Sequence, residues 1–316
     1  MFDKKEEIID SRHAIVVRGL GNYSLRDTFE CGQCFRYEVR EEKDGYVEYV
    51  TVVKNHLINV AERERGELIF YGCTDELFRE VIVPYFALEV DYEKIKEDII
   101  SHTDSEWLKK AAESASGIRI LSQDPWETLF SFIISQNNNI PRIRGIIKRI
   151  SSAYGVNITL QNGGKSCPLK KTDTAPCEEI CKNCGCCYTF PSSRDITENP
   201  ELLLSAKVGF RYKYLCDAAE KVESKVISLK EIANANSYEY TVETLSKILG
   251  VGPKVAACVA LFGFGNLEAF PIDVWMKRAI DTYFGGKLDH TAFGKYAGIA
   301  QQYIFHYIRN IEKEEK

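Results

Sequence analysis

No stretch of eighteen apolar residues occurs in this chain of 316, so no conventional membrane-spanning helix is expected. The opening Met1-Phe2-Asp3-Lys4-Lys5-Glu6-Glu7 lacks the basic and apolar run of a secretory leader, which predicts an intracellular protein that is not secreted and has no membrane partner. No internal repeat is visible. Acid is missing altogether from Thr128 to Thr172, a stretch that holds Arg142, Arg144, Lys148, Arg149, Lys165, Lys170 and Lys171. The net charge of −5 therefore does not exclude DNA, because acid collects at Glu41 and Glu42, across Asp75 to Glu106, and in the Glu312 to Glu315 tail. A merely solvated basic helix would give the same pattern.

What is present divides into a strand-rich beginning and a helical remainder. Ala14-Ile-Val-Val-Arg18, Tyr46 to Val53 and Glu67-Leu-Ile-Phe-Tyr71 read as short strands separated by turn residues, hence as an antiparallel sheet. Past Thr74 the periodicity turns helical. Asp124-Pro125-Trp126-Glu127 opens a helix with an Asp cap, a first-turn proline and a glutamate three residues after the cap. That helix buries Leu129, Phe130, Ile133 and Ile134, and Asn137-Asn138-Asn139 interrupts it as a turn suited to presenting amides. The fold class is therefore α+β, with a sheet unit and trailing helices over residues 1–123 and a helical region over 124–316.

Eleven cysteines in a chain of this length point to a reducing compartment. Six of them, Cys167, Cys177, Cys181, Cys184, Cys186 and Cys187, fall in an insertion at about 157–191 that breaks the helical pattern. The Cys177 to Cys187 run is dense enough for a thiolate zinc site, but it contains no histidine and fits no standard spacing; reduced thiols and disulfides remain open. Cys31-Gly-Gln-Cys34 has the spacing of a redox pair, yet it does not open a helix after a strand.

The densest chemistry lies between Leu249 and Asp273. Thr241, with Glu243 behind it, is read as a helix start, and Leu245, Ile248 and Leu249 follow at helical spacing until Gly250 and Gly252 permit a tight reversal. Pro253 enters the next helix, whose apolar face is Val255, Cys258, Val259 and Phe262. Backbone N–H groups left open at such a helix start can grip a phosphate without reading sequence. Lys254 stands there as a candidate amine nucleophile, since the positive end of the helix dipole disfavours the ammonium form. Asp273, just before Val274 and Trp275, is a candidate cap and catalytic carboxylate. A surface lysine beside an ordinary turn is the competing reading of the hairpin alone.

Hairpin, lysine and Pro271-Ile-Asp273-Val274 together resemble the helix-hairpin-helix DNA glycosylase superfamily. Four further segments resemble its 8-oxoguanine DNA glycosylase family: Gly32-Gln-Cys-Phe-Arg36, Gln123 to Ile133 with Asn137 to Arg142, Gly209-Phe-Arg-Tyr-Lys-Tyr214, and Ala300-Gln301 through Phe305. This resemblance implies excision of 8-oxoguanine opposite cytosine through a Schiff base on Lys254, followed by β-elimination at the abasic site, with Asp273 stabilising charge on the sugar and no cofactor required. The flipped base would lie between Phe305 and Cys258, with Gln301 on its Watson–Crick edge. The Gly32 carbonyl would accept from N7–H, a contact guanine cannot make and one worth about 1–3 kcal/mol. Asn137, Arg142 and Arg211 would read the orphaned cytosine, Phe210 would wedge into the stack, and Gly250 and Gly252 would face phosphate.

Three features depart from that pattern. Phe210 stands where the family often has tyrosine, Trp275 where some members have histidine, and the cysteine-rich insertion is foreign to it. Two alternatives remain: a non-catalytic helix-hairpin-helix DNA-binding protein with a metal-binding insertion, and a glycosylase for oxidised pyrimidines, although no four-cysteine cluster follows Cys258. The expected partner is double-stranded DNA containing oxidised guanine, met by a monomer in the cytoplasm or nucleoid of a prokaryote.

Overall fold

The computed structural model describes residues 2–158 and 187–314. The candidate zinc cluster, apart from Cys187, lies outside the described residues. Six antiparallel strands form one sheet in the order β1-β2-β6-β5-β4-β3, with β1 Asp3–Ile9, β2 Arg12–Arg18, β3 Tyr37–Lys43, β4 Tyr46–Val53, β5 His56–Glu64 and β6 Glu67–Tyr71. The apolar runs at β2, β4 and β6 are the expected strands. β1 and β3 carry too many charges to stand out by pattern, and they are recruited by their turns. Asp10 and Ser11, between β1 and β2, take φ of 50° and 60°, the paired positive values that let a two-residue turn follow the twist of its strands, and Gly45, in the turn between β3 and β4, takes 70°.

The sheet is dressed differently on its two faces. Ile15, Val17, Tyr49, Val60, Leu68 and Phe70 pack against Phe29, Phe78 and Phe86 on the inner face. The other face holds the smaller cluster of Ala14, Val16, Ala61, Ile69 and Tyr71. Beside it the fully buried Glu48 accepts from Arg12 at 2.8 Å, Arg40 at 2.5 Å and Tyr46 Oη at 2.9 Å. A buried carboxylate is tolerable only with such partners, which hold its pKa down against the opposing effect of burial.

The helical body has a single large core. Helices Tyr92–Ser101 and Glu106–Ser114, which trail the sheet in sequence, bury Ile95, Ile99 and Leu108 there together with Ile133, Val259 and Ile304. At its centre runs helix Pro253–Phe264, in which every residue from Val255 to Phe262 is buried. Helix Pro125–Ser135 lies against it so closely that a Cβ on Gly263 would come within 3.2 Å of Pro125 Cα.

Sheet and helices are joined through Gln33. This side chain is fully buried; its amide donates to the carbonyls of Thr28 at 2.8 Å and Arg119 at 2.7 Å, and its Oε1 accepts from Leu121 N at 2.8 Å. Two helix starts differ from the pattern-based expectation. Ser237, not Thr241, caps helix Tyr238–Leu245, and Thr241 lies inside it, donating back to Ser237 O at 2.7 Å. Asp124 does cap Pro125–Ser135, but Glu127 pairs with Arg36 at 2.9 Å.

Candidate active site

A cleft of roughly 350 Å³ is lined by Cys31, Gly32, Phe132, Lys254, Cys258, Phe262, Pro271, Asp273, Gln301, Gln302 and Phe305. It brings together six residues singled out from sequence that are as far apart as Gly32 and Phe305. Lys254, in the first turn of helix Pro253–Phe264, sits with Nζ 5.5 Å from the centroid of the Phe132 ring. Cys258 follows one turn later, within hydrogen-bond reach of Lys254; burial pushes its thiol up to about 11, Lys254 opposing and Asp273 reinforcing the shift. Cys258 is therefore a neutral, polarisable wall at ordinary pH.

Asp273 caps helix Val274–Tyr283, with Oδ1 accepting from Trp275 N at 3.0 Å and Met276 N at 2.9 Å. Both bonds fall on one oxygen, so Oδ2 retains a full acceptor edge beside the cleft. Gly32 has a φ of 90°, and a Cβ there would sit 3.6 Å from Ile140 Cδ1 and 3.9 Å from Phe305 Cε1, so the backbone conformation and not crowding demands glycine. Gln301 is buried at 3 % exposure and accepts from Gln302 Nε2 at 2.7 Å. Arg309 lies over Phe305, its Cζ 5.2 Å from the ring centroid.

The hairpin before Lys254 uses its two glycines for different reasons. Gly250 has φ 78° and faces the Tyr214 ring so closely that a Cβ would lie 2.6 Å from Cγ. Gly252 has ordinary backbone and open space around it, and no side chain caps the helix it begins. The first N–H groups of Pro253–Phe264 are thereby left without a side-chain partner, the arrangement that suits an anion. Leu249 N donates to Asp217 Oδ2 at 2.7 Å, and Lys221 donates to Lys247 O at 2.7 Å, latching the turn to helix Tyr212–Glu223.

Residues expected to read the opposite base form a second group. Asn137 is exposed with φ 47°, and Asn139 caps helix Ile140–Tyr154 by accepting from Arg142 N at 3.0 Å. Arg142 is exposed. Arg211, by contrast, is 1 % exposed and spends its donors on Gln136 O, on Asn137 O at 3.1 Å and on Val208 O at 3.2 Å. Arg211 thus holds the asparagine turn in place. Burial, and then the charge of Arg142, push its pKa down. Phe210 next to it is 51 % exposed.

A sequence model of the 8-oxoguanine DNA glycosylase N-terminal domain matches residues 16–129. The solved structure of MBOgg1 with a low-affinity DNA ligand superposes with a TM-score of 0.80 at 34% identity, covering 99% of both chains. The chain belongs to the 8-oxoguanine DNA glycosylase family. The 8-oxoguanine glycosylase/lyase of Clostridium acetobutylicum, solved with double-stranded DNA containing cytosine opposite 8-oxoguanine, gives a TM-score of 0.79 at 30% identity over 99% of this chain and 98% of that one. The N-glycosylase/DNA lyase of Saccharomyces cerevisiae is 29% identical over 274 residues, or 80% of this chain and 66% of the yeast protein.

Within this glycosylase-family chain, several contributors to the cleft escape a sequence reading. Phe132 and Phe262 stack at 5.5 Å with an interplanar angle of 13°, and Phe132 meets Phe35 edge-on at 5.7 Å. Both rings look like ordinary core residues until the helices cross. The basic run also proves heterogeneous: Lys148 pairs with Glu38 at 3.1 Å, Arg144 lies over Tyr37, and Arg149 donates to Ala206 O at 3.0 Å. These three are therefore engaged within the protein. Cys31 and Cys34 are unlinked, point into different cores, and are both pushed up by burial, which makes a redox pair a poor description. Trp275 packs half-buried against the helical core. Among the described residues no three His, Cys, Asp or Glu side chains converge as a metal site, and no helix is long and apolar enough to cross a membrane.

Proposed function

We propose that this chain excises 8-oxoguanine opposite cytosine from double-stranded DNA and then nicks the abasic site. The observation that carries this reading is the convergence of Lys254, Asp273, Cys258, Gln301, Phe305 and Gly32 on one cleft. Lys254 Nζ attacks the sugar C1′ as the bond to N9 breaks and the base departs with its electron pair. The carboxylate of Asp273 offsets the positive charge that develops on the sugar. Loss of a proton from nitrogen and opening of the ring leave a Schiff base. Removal of a C2′ hydrogen then expels the 3′ phosphate, cutting the strand.

Recognition divides between the cleft and its rim. Phe305 and Cys258 stack on the flipped base, Gln301 reads its Watson–Crick edge, and the Gly32 carbonyl accepts from N7–H. Asn137, Arg142 and Arg211 meet the orphaned cytosine, Arg211 from beneath the asparagine turn whose carbonyls it holds. The exposed ring of Phe210 fills the gap in the stack. Gly250 and Gly252 shape the uncapped helix start that takes a phosphate. None of these steps needs a cofactor. The same reading puts a monomer with DNA inside a prokaryotic cell, in the cytoplasm or nucleoid; relatives in both yeast and a bacterium support DNA as the substrate but not the kind of cell.

Borohydride trapping on an 8-oxoguanine:cytosine duplex tests the lysine directly. A covalent protein–DNA adduct is expected from the wild type and none from Lys254→Gln. An adduct that persists unchanged in Lys254→Gln would remove the proposed chemistry.

A further inference from the structure

Gln302 is not accounted for by the site just described. It is 4 % exposed and lines the cleft beside Gln301. Its Nε2 donates to Gln301 Oε1 at 2.7 Å, while its own Oε1 finds no hydrogen-bond partner among the described residues. Buried polar atoms are almost always paired, and leaving one unpaired costs about 1–3 kcal/mol. An apolar residue at this helix position would avoid that cost, so the carbonyl calls for a partner that arrives from outside.

We propose that Gln302 is a second, specificity-determining reader of the flipped base, its Oε1 accepting a hydrogen from the base's Watson–Crick edge alongside Gln301. The inference rests on the proposed excision of an oxidised guanine. Helix geometry places Phe305 three residues from Gln302 and four from Gln301, so both amides lie over the turn next to the stacking ring. The bond between the amides couples their orientations, because turning Gln302 alone would set two carbonyl oxygens against each other. In the observed arrangement Gln301 Oε1 has one lone pair taken and one left, and Gln302 Oε1 has both left. Two neighbouring acceptors match the N1–H and N2–H donors of a guanine-type edge. An adenine-type edge would present its N1 lone pair to one of them and be repelled. The pair of glutamines therefore recognises which purine was oxidised, whereas the Gly32 carbonyl recognises that it was oxidised.

Two substrates and one near-isosteric variant test this. Single-turnover excision is measured on duplexes carrying 8-oxoguanine or 8-oxohypoxanthine, which lacks the N2 amino group, with wild type and Gln302→Met. The wild type is expected to prefer 8-oxoguanine, and Gln302→Met to lose roughly tenfold or more on it while losing little on 8-oxohypoxanthine, so that the preference collapses. Nicking of a preformed abasic site, which offers no edge to read, should fall much less than excision. Equal losses on both bases, in Gln302→Met and in the more conservative Gln302→Asn, would assign the residue to the fold and overturn the proposal. So would a Gln302→Met protein that matches the wild type on both. A wild type that excises neither base overturns the glycosylase reading itself, a result separable from the other two.

Discussion

Asp273 does two jobs with one carboxylate, and substitution can pull them apart. Its Oδ1 closes the start of helix Val274–Tyr283, while its charge lies in the cleft with Lys254. Asp273→Asn keeps an oxygen acceptor for the cap and removes the charge, whereas Asp273→Ala removes both. Asp273→Asn is expected to melt near the wild type yet lose on the order of a hundredfold in excision, the size typical for deleting one electrostatic stabiliser. Asp273→Ala should lose activity similarly and about 1 kcal/mol of stability besides. Melting curves and single-turnover rates on the two variants decide it, and an Asp273→Asn enzyme as fast as the wild type would leave Asp273 as a cap alone. Cap and charge could both be suspected from the sequence, because an Asp before an apolar helical stripe after proline is a strong local signal.

The hairpin is the element where two glycines, two residues apart, are kept by different forces. Gly250 is constrained internally by φ 78° and by Tyr214, whereas Gly252 has ordinary backbone and nothing within 4 Å. Gly250→Ala is expected to destabilise the protein by about 1–3 kcal/mol, because both the backbone and the tyrosine must shift. Gly252→Ala should cost under about 1 kcal/mol in stability but weaken binding to undamaged duplex DNA, since its methyl group occupies the space where a phosphate would approach. Denaturation midpoints and salt-dependent DNA titrations separate them; a Gly252→Ala protein with wild-type affinity would argue that the uncapped helix start is not the phosphate site. Sequence identified both glycines as a turn, but only the position of Tyr214, supplied by a helix about 35 residues earlier, distinguishes them.

For the whole molecule, burial of thiols in the helical core sets a limit on alkaline stability. Cys31 and Cys258 are each pushed up to about 11 from an ordinary 9.0, chiefly by burial. Below pH 9 both states hold their protons and no penalty arises. Between pH 9 and 11 the unfolded thiols ionise while the folded ones do not, so stability falls, by at most about 1.4 kcal/mol per pH unit for each thiol. Urea midpoints should therefore drop more steeply over that range in the wild type than in a Cys31→Ala, Cys258→Ala double variant. Parallel slopes would show that the two thiols titrate alike in both states. The joint between sheet and helices belongs to this scale too. Gln33 and Arg36, in the segment that also carries Gly32, bind the Arg119–Leu121 connection and Glu127 respectively, so that segment is tied to the helical body.

By itself the sequence determined the order of elements, the hairpin with its lysine, and the chemical identity of the groups that meet in the cleft, because each rests on local signals such as caps, turns, period and motif spacing. It also specified β2, β4 and β6, but not β1, β3 or β5, whose pairing comes from turn geometry and from neighbours they do not encode. Tertiary structure alone decided which basic residues stay available: Arg142 is exposed, while Arg144, Lys148 and Arg149 are engaged by parts of the chain distant in sequence. It alone buried Arg211 beneath the asparagine turn and left one carbonyl of Gln302 unpaired beside the cleft. The physical reason is the same in each case: a side chain's partners, its exposure and the cost of burying it are set by what packs against it, and those neighbours come from elsewhere in the chain.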